Sequence, residues 1–353
     1  MIRILIYEVI CLKNALKVTL AYLAAVIGAG FASGGETVYY FVRFGNISFI
    51  GVLISAVGFG VAAYILLAAC KKYKVYSFEE LMNILPGKRI SGVAGLLMSV
   101  FMLILLAAMI SAFAEMLYVT ANAPKTLSAA AFCVLCYYVL LMPSEKIVKW
   151  GGIAGFIIVG MISFCCLYML KNRTVNVFSD FSPMVLSSSV YTAYNAFAVC
   201  PVLCDWGRYL SDKRECKLAG IMSGFFSFIA LSLIWIIVSI FYGKINLGEL
   251  PMLTLAARQG RLFMFLYVFV IFASVLSSAV ANAYGISLKY GSVTKSRKTV
   301  LAVIMCMGWF LSSLGFTTIV TDLYEYVGYA VLLITVYYII KIKINDVFAR
   351  KTK

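Results

Sequence analysis

The sequence predicts an all-α integral membrane protein with ten transmembrane helices in two sets of five, the first helix of each set being broken. Three observations lead there. Apolar residue types make up 63% of the 353 residues and charged ones 12%, with a mean hydropathy of +1.00. A soluble domain is nearer half apolar and a quarter charged. Long runs without Asp, Glu, Lys or Arg recur along the chain, and only two of them carry a strong interruption by glycine or proline.

A membrane span needs about 20 mostly apolar residues. Uncharged runs occupy 18–35, 47–70, 90–114, 126–144, 150–170, 181–204, 218–243, 262–288 and 299–321. A tenth, 326–340, is short and extends back through Asp322 and Glu325. Backbone groups cannot go unpaired in lipid, so such runs form helices. The missing period-2 alternation argues against a β-barrel. Residues 1–14 are no secretory signal, since Glu8 interrupts the apolar run and no small-residue cleavage site precedes Lys13. They are expected as a short cytoplasmic or interfacial lead. The first repeat then covers 15–170, an external polar linker 171–180, the second repeat 181–341 and a basic cytoplasmic tail 342–353.

The formal net charge is +16, and its distribution points to the bilayer rather than to nucleic acid. With the N-terminus inside, the cytoplasmic loops hold Lys71, Lys72, Lys74, Lys88 and Arg89, Lys146 and Lys149, Arg208, Lys213, Arg214 and Lys217, and Lys289, Lys295, Arg297 and Lys298. The opposite side holds only Arg43, Lys125, Lys171, Arg173, Lys244, Arg258 and Arg261. This is the positive-inside pattern of a multi-pass cell-membrane protein with both termini cytoplasmic.

Most of the ten cysteines sit in or beside apolar runs and read as small buried hydrophobes. Cys133 and Cys136 have redox spacing but lie inside a span. With no histidine in the chain, a zinc site is not expected. No nucleotide-binding loop, HExxH or GxSxG motif occurs, so neither an organic cofactor nor an enzyme is indicated.

The two interruptions fall at equivalent places. Span 1 reads Ile27-Gly28-Ala29-Gly30-Phe31-Ala32-Ser33-Gly34-Gly35-Glu36, a poor prescription for a continuous helix. Span 6 reads Tyr194 to Pro201, with Asn195 at membrane depth and a proline that lacks a helical donor. Five spans per half make the halves face the membrane in opposite directions. Inverted repeats of this kind build secondary transporters, with the site at the midplane between broken helices.

The stretch from Val26 to Glu36, followed by aromatics and Arg43-Phe44-Gly45, resembles the YkvI-type family of bacterial membrane proteins. That family in turn resembles the amino acid–polyamine–organocation superfamily. The resemblance implies a LeuT-like five-plus-five inverted repeat with helices 1 and 6 broken. The chain departs from the pattern at Gly35, where many relatives would carry glutamine.

Candidate solute-binding residues follow from the breaks: Gly28, Ala29, Gly30, Ala32, Ser33, Gly34 and Glu36 in span 1, with Tyr194, Asn195 and Phe197 in span 6. Amides starting the outer half-helix near Ser33 suit an anionic group, and glycines let a ligand approach the backbone. Gly28, Gly30 and Gly34 should therefore reject valine, while the same change at Gly58 or Gly160 should be milder. Three roles fit Glu36: counter-ion to a solute ammonium, proton acceptor, or cap of the outer half-helix. Ser274, Ser277 and Ser278 share a helix face in span 8. The LeuT-like resemblance implies a sodium site between them and the carbonyls of Ala24 and Ile27; the alternative is bonding to their own helix. Arg43, Asp322 and Glu325 are candidates for an outer gate. Glu115 reads as an interfacial carboxylate, and Asp205 with Arg208 as a helix-end ion pair.

The function expected is alternating-access secondary transport of a small polar organic solute such as an amino acid, coupled to Na⁺ or H⁺. The alternative is a ligand sensor on the same fold that does not transport.

Overall fold

The computed structural model describes residues 2–84, 88–169, 182–290, 296–334 and 336–337. The linker 171–180 and the tail 342–353 lie outside the described residues. Span 1 comprises α1 (Ile2–Val26), α2 (Ala29–Ser33) and α3 (Gly35–Tyr40). The rest of the first half is α4 (Phe49–Tyr73), α5 (Phe78–Ile84), α6 (Lys88–Ala121), α7 (Lys125–Leu140) and α8 (Ser144–Met169). The second half follows as α9 (Ser182–Trp206), α10 (Lys213–Phe241), α11 (Pro251–Arg258), α12 (Arg261–Tyr290) and α13 (Arg297–Ser312). It closes with α14 (Phe316–Ile334), which includes a π-helical turn over Ile319–Leu323.

Among the described residues six helices are long and apolar enough to cross a membrane, or seven when α13 and α14, bent by 102° at their junction, count as one span. α7 is apolar but only 16 residues long. The chain is an all-helical membrane protein.

α1 runs from Ile2 to Val26, so residues 2–14 are helical and continuous with span 1. It is held along the start of α10: the Tyr7 hydroxyl donates to Asp212, Arg214 meets Glu8 at 3.2 Å, and Asn14 donates to Glu215 at 3.2 Å. The Tyr7 hydroxyl, followed by the amide of Glu215, holds the Asp212 carboxyl below its ordinary range.

The expected break in span 6 is not there. α9 runs unbroken through Pro201 to Trp206. Proline withdraws one donor from the carbonyl of Phe197, and one lost bond near the helix end does not stop the helix. The Asn195 amide donates to the Tyr191 carbonyl at 3.1 Å and is satisfied inside its own helix. Span 1, by contrast, leaves helical geometry at Ile27-Gly28 and again at Gly34, whose φ of +80° suits glycine.

The helix contacts have a regular pattern. α4 packs on α9 and α10 on α1; α6 packs on α7 and α12 on α13; α6 meets α13 and α12 meets α7. α1 packs on α8, while α14 lies on α9, where Gly328 faces Val190. Even the short connectors correspond: α5 touches α4, α6 and α9, and α11 touches α10, α12 and α2. Exchanging the first half for the second maps these contacts onto one another.

Small residues set the closest approaches, as in other membrane helix pairs. A Cβ on Gly60 would stand 2.8 Å from the Gly220 carbonyl, and one on Gly224 2.9 Å from the Ala56 carbonyl. A Cβ on Gly155 would collide with the Leu20 carbonyl of α1, whereas Gly160 has nothing within 4 Å. Gly155→Val should therefore lower the thermal stability of the purified protein, by overpacking of about 1–3 kcal/mol. Gly160→Val should melt like the parent. Gly58, where the sequence predicts a milder effect of valine, abuts the Thr192 side chain.

Candidate functional site

The end of α1 is built for exposed carbonyls. The Ile27 amide still reaches the Leu23 carbonyl at 2.7 Å, but the Gly28 amide turns tightly to the Val26 carbonyl at 2.8 Å. The α1 ladder stops there, leaving carbonyls of its last turn without helical donors. α12 supplies partners. Ser277 Oγ donates to the Ala24 carbonyl at 2.7 Å and lies 3.0 Å from the Ser274 carbonyl. Ser278 Oγ lies 2.9 Å from the Ala25 carbonyl and 3.2 Å from that of Ala24. Ser274 Oγ is buried with no hydrogen-bond partner among the described residues. Ser274, Ser277 and Ser278 thus gather with Ala24 at the broken end of α1, and the two hydroxyls reach across to α1 rather than only back to their own helix. Ile27 is buried beside them, with no hydroxyl on its carbonyl among the described residues.

Gly28 has no room for a side chain, since a Cβ would stand 3.1 Å from Met109 and 3.3 Å from Ser278 Oγ. Glu36 folds back over Gly30, so that a Cβ there would collide with its carboxylate arm. Ala32 and Ser33 are buried on α2; the Ala32 carbonyl accepts from the Tyr267 hydroxyl at 2.7 Å. The side chain of Ala29 lies outside the described residues.

The start of α3 differs from the anion site expected there. α3 has six residues, too few for a substantial dipole. The Gly35 amide is taken by Ser33 Oγ at 3.2 Å. Glu36 adds a carboxylate to the first turn. An anionic group finds little support at this place.

Glu36 is 4% exposed and sits among tyrosines. It faces the Tyr194 hydroxyl, whose geometry toward it does not complete a regular hydrogen bond. Tyr194 packs on Tyr40 at 5.5 Å between ring centroids, on Tyr191 at 5.6 Å and on Tyr324 at 5.4 Å. The hydroxyls of all four are buried without a hydrogen-bond partner among the described residues, each at a cost of about 1–3 kcal/mol. Only Tyr194 was legible in the sequence. Tyr191 one turn earlier on the same helix face was a usable signal; Tyr40 and Tyr324 carried none. Phe197 points elsewhere, edge-on to Phe78 of α5 at 6.1 Å, and Asn195 is turned to its own helix. Neither joins the cluster.

Outside this layer, the Tyr39 hydroxyl donates to Glu325, Tyr329 lies 3.3 Å from the same carboxylate, and the Arg43 guanidinium lies over the Tyr39 ring at 4.0 Å. Arg43 and Glu325 are thereby joined through Tyr39. Asp322 is not: it is exposed and accepts from Thr321 at 2.8 Å. A cavity of about 400 Å³ lies beside them, lined by Gly35, Tyr39, Arg43, Glu249, Phe316 and Thr317 among others. Burial, then the Glu115 carboxylate, pushes the Glu249 carboxyl above its ordinary range. Glu115 itself pairs with Lys125. At the other end a smaller cavity, about 140 Å³, is lined by Glu79, Pro201, Asp205, Arg208 and Lys289 among others. There Asp205 pairs with Arg208 and accepts from the Tyr284 hydroxyl at 3.1 Å. Two cavities at opposite ends thus flank a centre in which Glu36, Ser274 and Ser278 are buried, while Ser277 borders an apolar cavity of about 350 Å³.

No family model matches the chain. It is 25% identical over 326 residues to an uncharacterised membrane protein of Bacillus subtilis (strain 168), YkvI, covering 90% of this chain and 92% of that protein. Among solved structures it is similar to a Na⁺-coupled sialic acid symporter, with a TM-score of 0.65, 13% identity, and 90% of this chain and 75% of that one covered. A manganese transporter of Eremococcus coleocola gives 0.62, 14%, 95% and 79%. MhsT in complex with L-phenylalanine gives 0.65, 17%, 90% and 87%. These relatives of known structure are transporters, not enzymes. The chain is a membrane protein similar to YkvI over most of its length, and it shares the LeuT fold of these transporters.

Proposed function

We propose that the protein is an ion-coupled secondary transporter of a small polar organic solute. The single observation that carries this reading is the meeting of Ser277 and Ser278 with the Ala24 carbonyl where α1 ends. Carbonyls of an unwound helix end together with neutral hydroxyls suit a dehydrated Na⁺, and the hydroxyls supply oxygen ligands by rotating their protons away. The solute lies beside it, between Gly28, Gly30 and Glu36 of span 1 and Tyr194 of α9. Ten spans in two inverted sets of five are favoured by the exchange symmetry of the helix contacts, with span 1 broken and α9 continuous. Arg43, Tyr39 and Glu325 form the outer closure, Asp205 and Arg208 the inner one.

Two measurements test this. Sodium chloride, but not potassium chloride, should raise the melting temperature of the purified protein. Proteoliposomes should accumulate label from a mixture of radioactive amino acids and amines when a sodium gradient is imposed. Sodium-dependent binding without accumulation would instead favour a sensor. We further place the basic end of the molecule in the cytoplasm. Single cysteines at Lys72, Lys146 and Lys213 should react only after the membrane is permeabilised, and one at Lys244 should react from outside. The reverse pattern at any of the four positions defeats the topology.

A further inference from the structure

The residues around Glu36 say what kind of solute the site takes. Tyr40 comes from α3, Tyr191 and Tyr194 from α9, and Tyr324 from the end of the π-helical turn in α14. Their ring centroids stand 5.4–5.6 Å apart in successive contacts, and their four hydroxyls are enclosed without partners among the described residues. No lysine or arginine among the described residues pairs with Glu36. A buried carboxylate is stabilised by a proton or by a compensating positive charge, and tyrosine faces attract cations. The phenol oxygens can in addition accept from N–H groups. A solute carboxylate has no comparable support, because the Gly35 amide is occupied by Ser33 and Arg43 is engaged over Tyr39. Glu36 would repel it.

Building on the transporter reading, we propose that the solute is a compact organic ammonium without a carboxylate, with Glu36 as its counter-ion, received where Tyr40, Tyr191, Tyr194 and Tyr324 pack on one another in the solute-free protein. This narrows the expectation of an amino acid, whose anionic end the site does not serve.

The test is equilibrium binding to the purified full-length protein by calorimetry. Ethanolamine and tetramethylammonium should bind at least about tenfold more tightly than the neutral isostere tert-butanol and the zwitterion alanine. Glu36→Gln should weaken ammonium binding about 10- to 100-fold, and Tyr194→Phe or Tyr324→Phe about 2- to 10-fold. Glu36→Asp retains the charge and should lose less than Glu36→Gln. It also serves, with the tyrosine variants, should the glutamine variant fail to fold. Alanine or tert-butanol binding as tightly as the amines overturns the proposal, as does undiminished ammonium binding by a folded Glu36→Gln. So does the absence of ammonium binding at millimolar concentration. Ammonium binding without flux in proteoliposomes would leave this site standing and remove the transporter reading. Alanine uptake indifferent to Glu36→Gln would do the opposite.

Discussion

Replacing both Ser277 and Ser278 with alanine should abolish the sodium dependence of solute binding, lowering apparent sodium affinity on the order of 100-fold or more. Each hydroxyl interacting with a charged partner contributes about 1.5–3 kcal/mol, and the two act at one place: Ser277 lies 2.7 Å and Ser278 3.2 Å from the same Ala24 carbonyl. Ser277→Thr keeps the hydroxyl and should keep the dependence. The competing driver is the proton, for which Glu36 is the acceptor. In that case the serine changes leave uptake intact, and Glu36→Gln flattens its response to external pH. Initial uptake rates across a sodium series and a pH series, for the parent and both variants, separate the two. Sodium dependence surviving the double alanine change would remove the serines from the coupling site.

Gly30→Val should eliminate solute binding and uptake altogether, with Gly160→Val near the parent in both. A Cβ at Gly30 occupies the space of the Glu36 carboxylate arm, while one at Gly160 meets nothing within 4 Å. The collision is with a side chain rather than with backbone, so the helix pair can survive by expelling Glu36 from its place. Loss of function with a retained size-exclusion profile is the expected signature. Gly30→Ala should show the same direction more weakly. Normal binding by Gly30→Val would place the solute away from the break in span 1.

The membrane class and the order of helices were legible because lipid imposes them: uncharged runs of sufficient length have one stable backbone solution. The break in span 1 was legible too, since four glycines within eight residues remove both helix propensity and the side chains that would fill the gap. Span 6 misled for a local reason. A proline weakens a helix wherever it falls, but whether the helix stops depends on packing around it, and α9 is held by α4, α12 and α14. Glu36 stood out as a charge in an apolar run. The tyrosine cage did not, because Tyr40 and Tyr324 lie far apart in sequence and resemble the many other aromatic residues of an apolar chain. Asp322 turns to Thr321 and Phe197 to Phe78, orientations that spacing alone does not resolve.

The interchangeable helix contacts bear on energetics. If each half can take the shape of the other, the protein has two arrangements that preserve most of the same packing, and their free energies differ only by what the halves do not share. The unlike parts are few: the break in α1 against the continuous α9, the carboxylate of Glu36, and the unequal cavities at the two ends. A two-well system balanced this closely can be tipped by ligands that discriminate between the wells by about 1–3 kcal/mol, and a tenfold shift in population costs about 1.4 kcal/mol. Substitutions in the unlike parts should therefore bias which well is occupied, whereas paired changes at corresponding positions of both halves should leave the balance close to where it began.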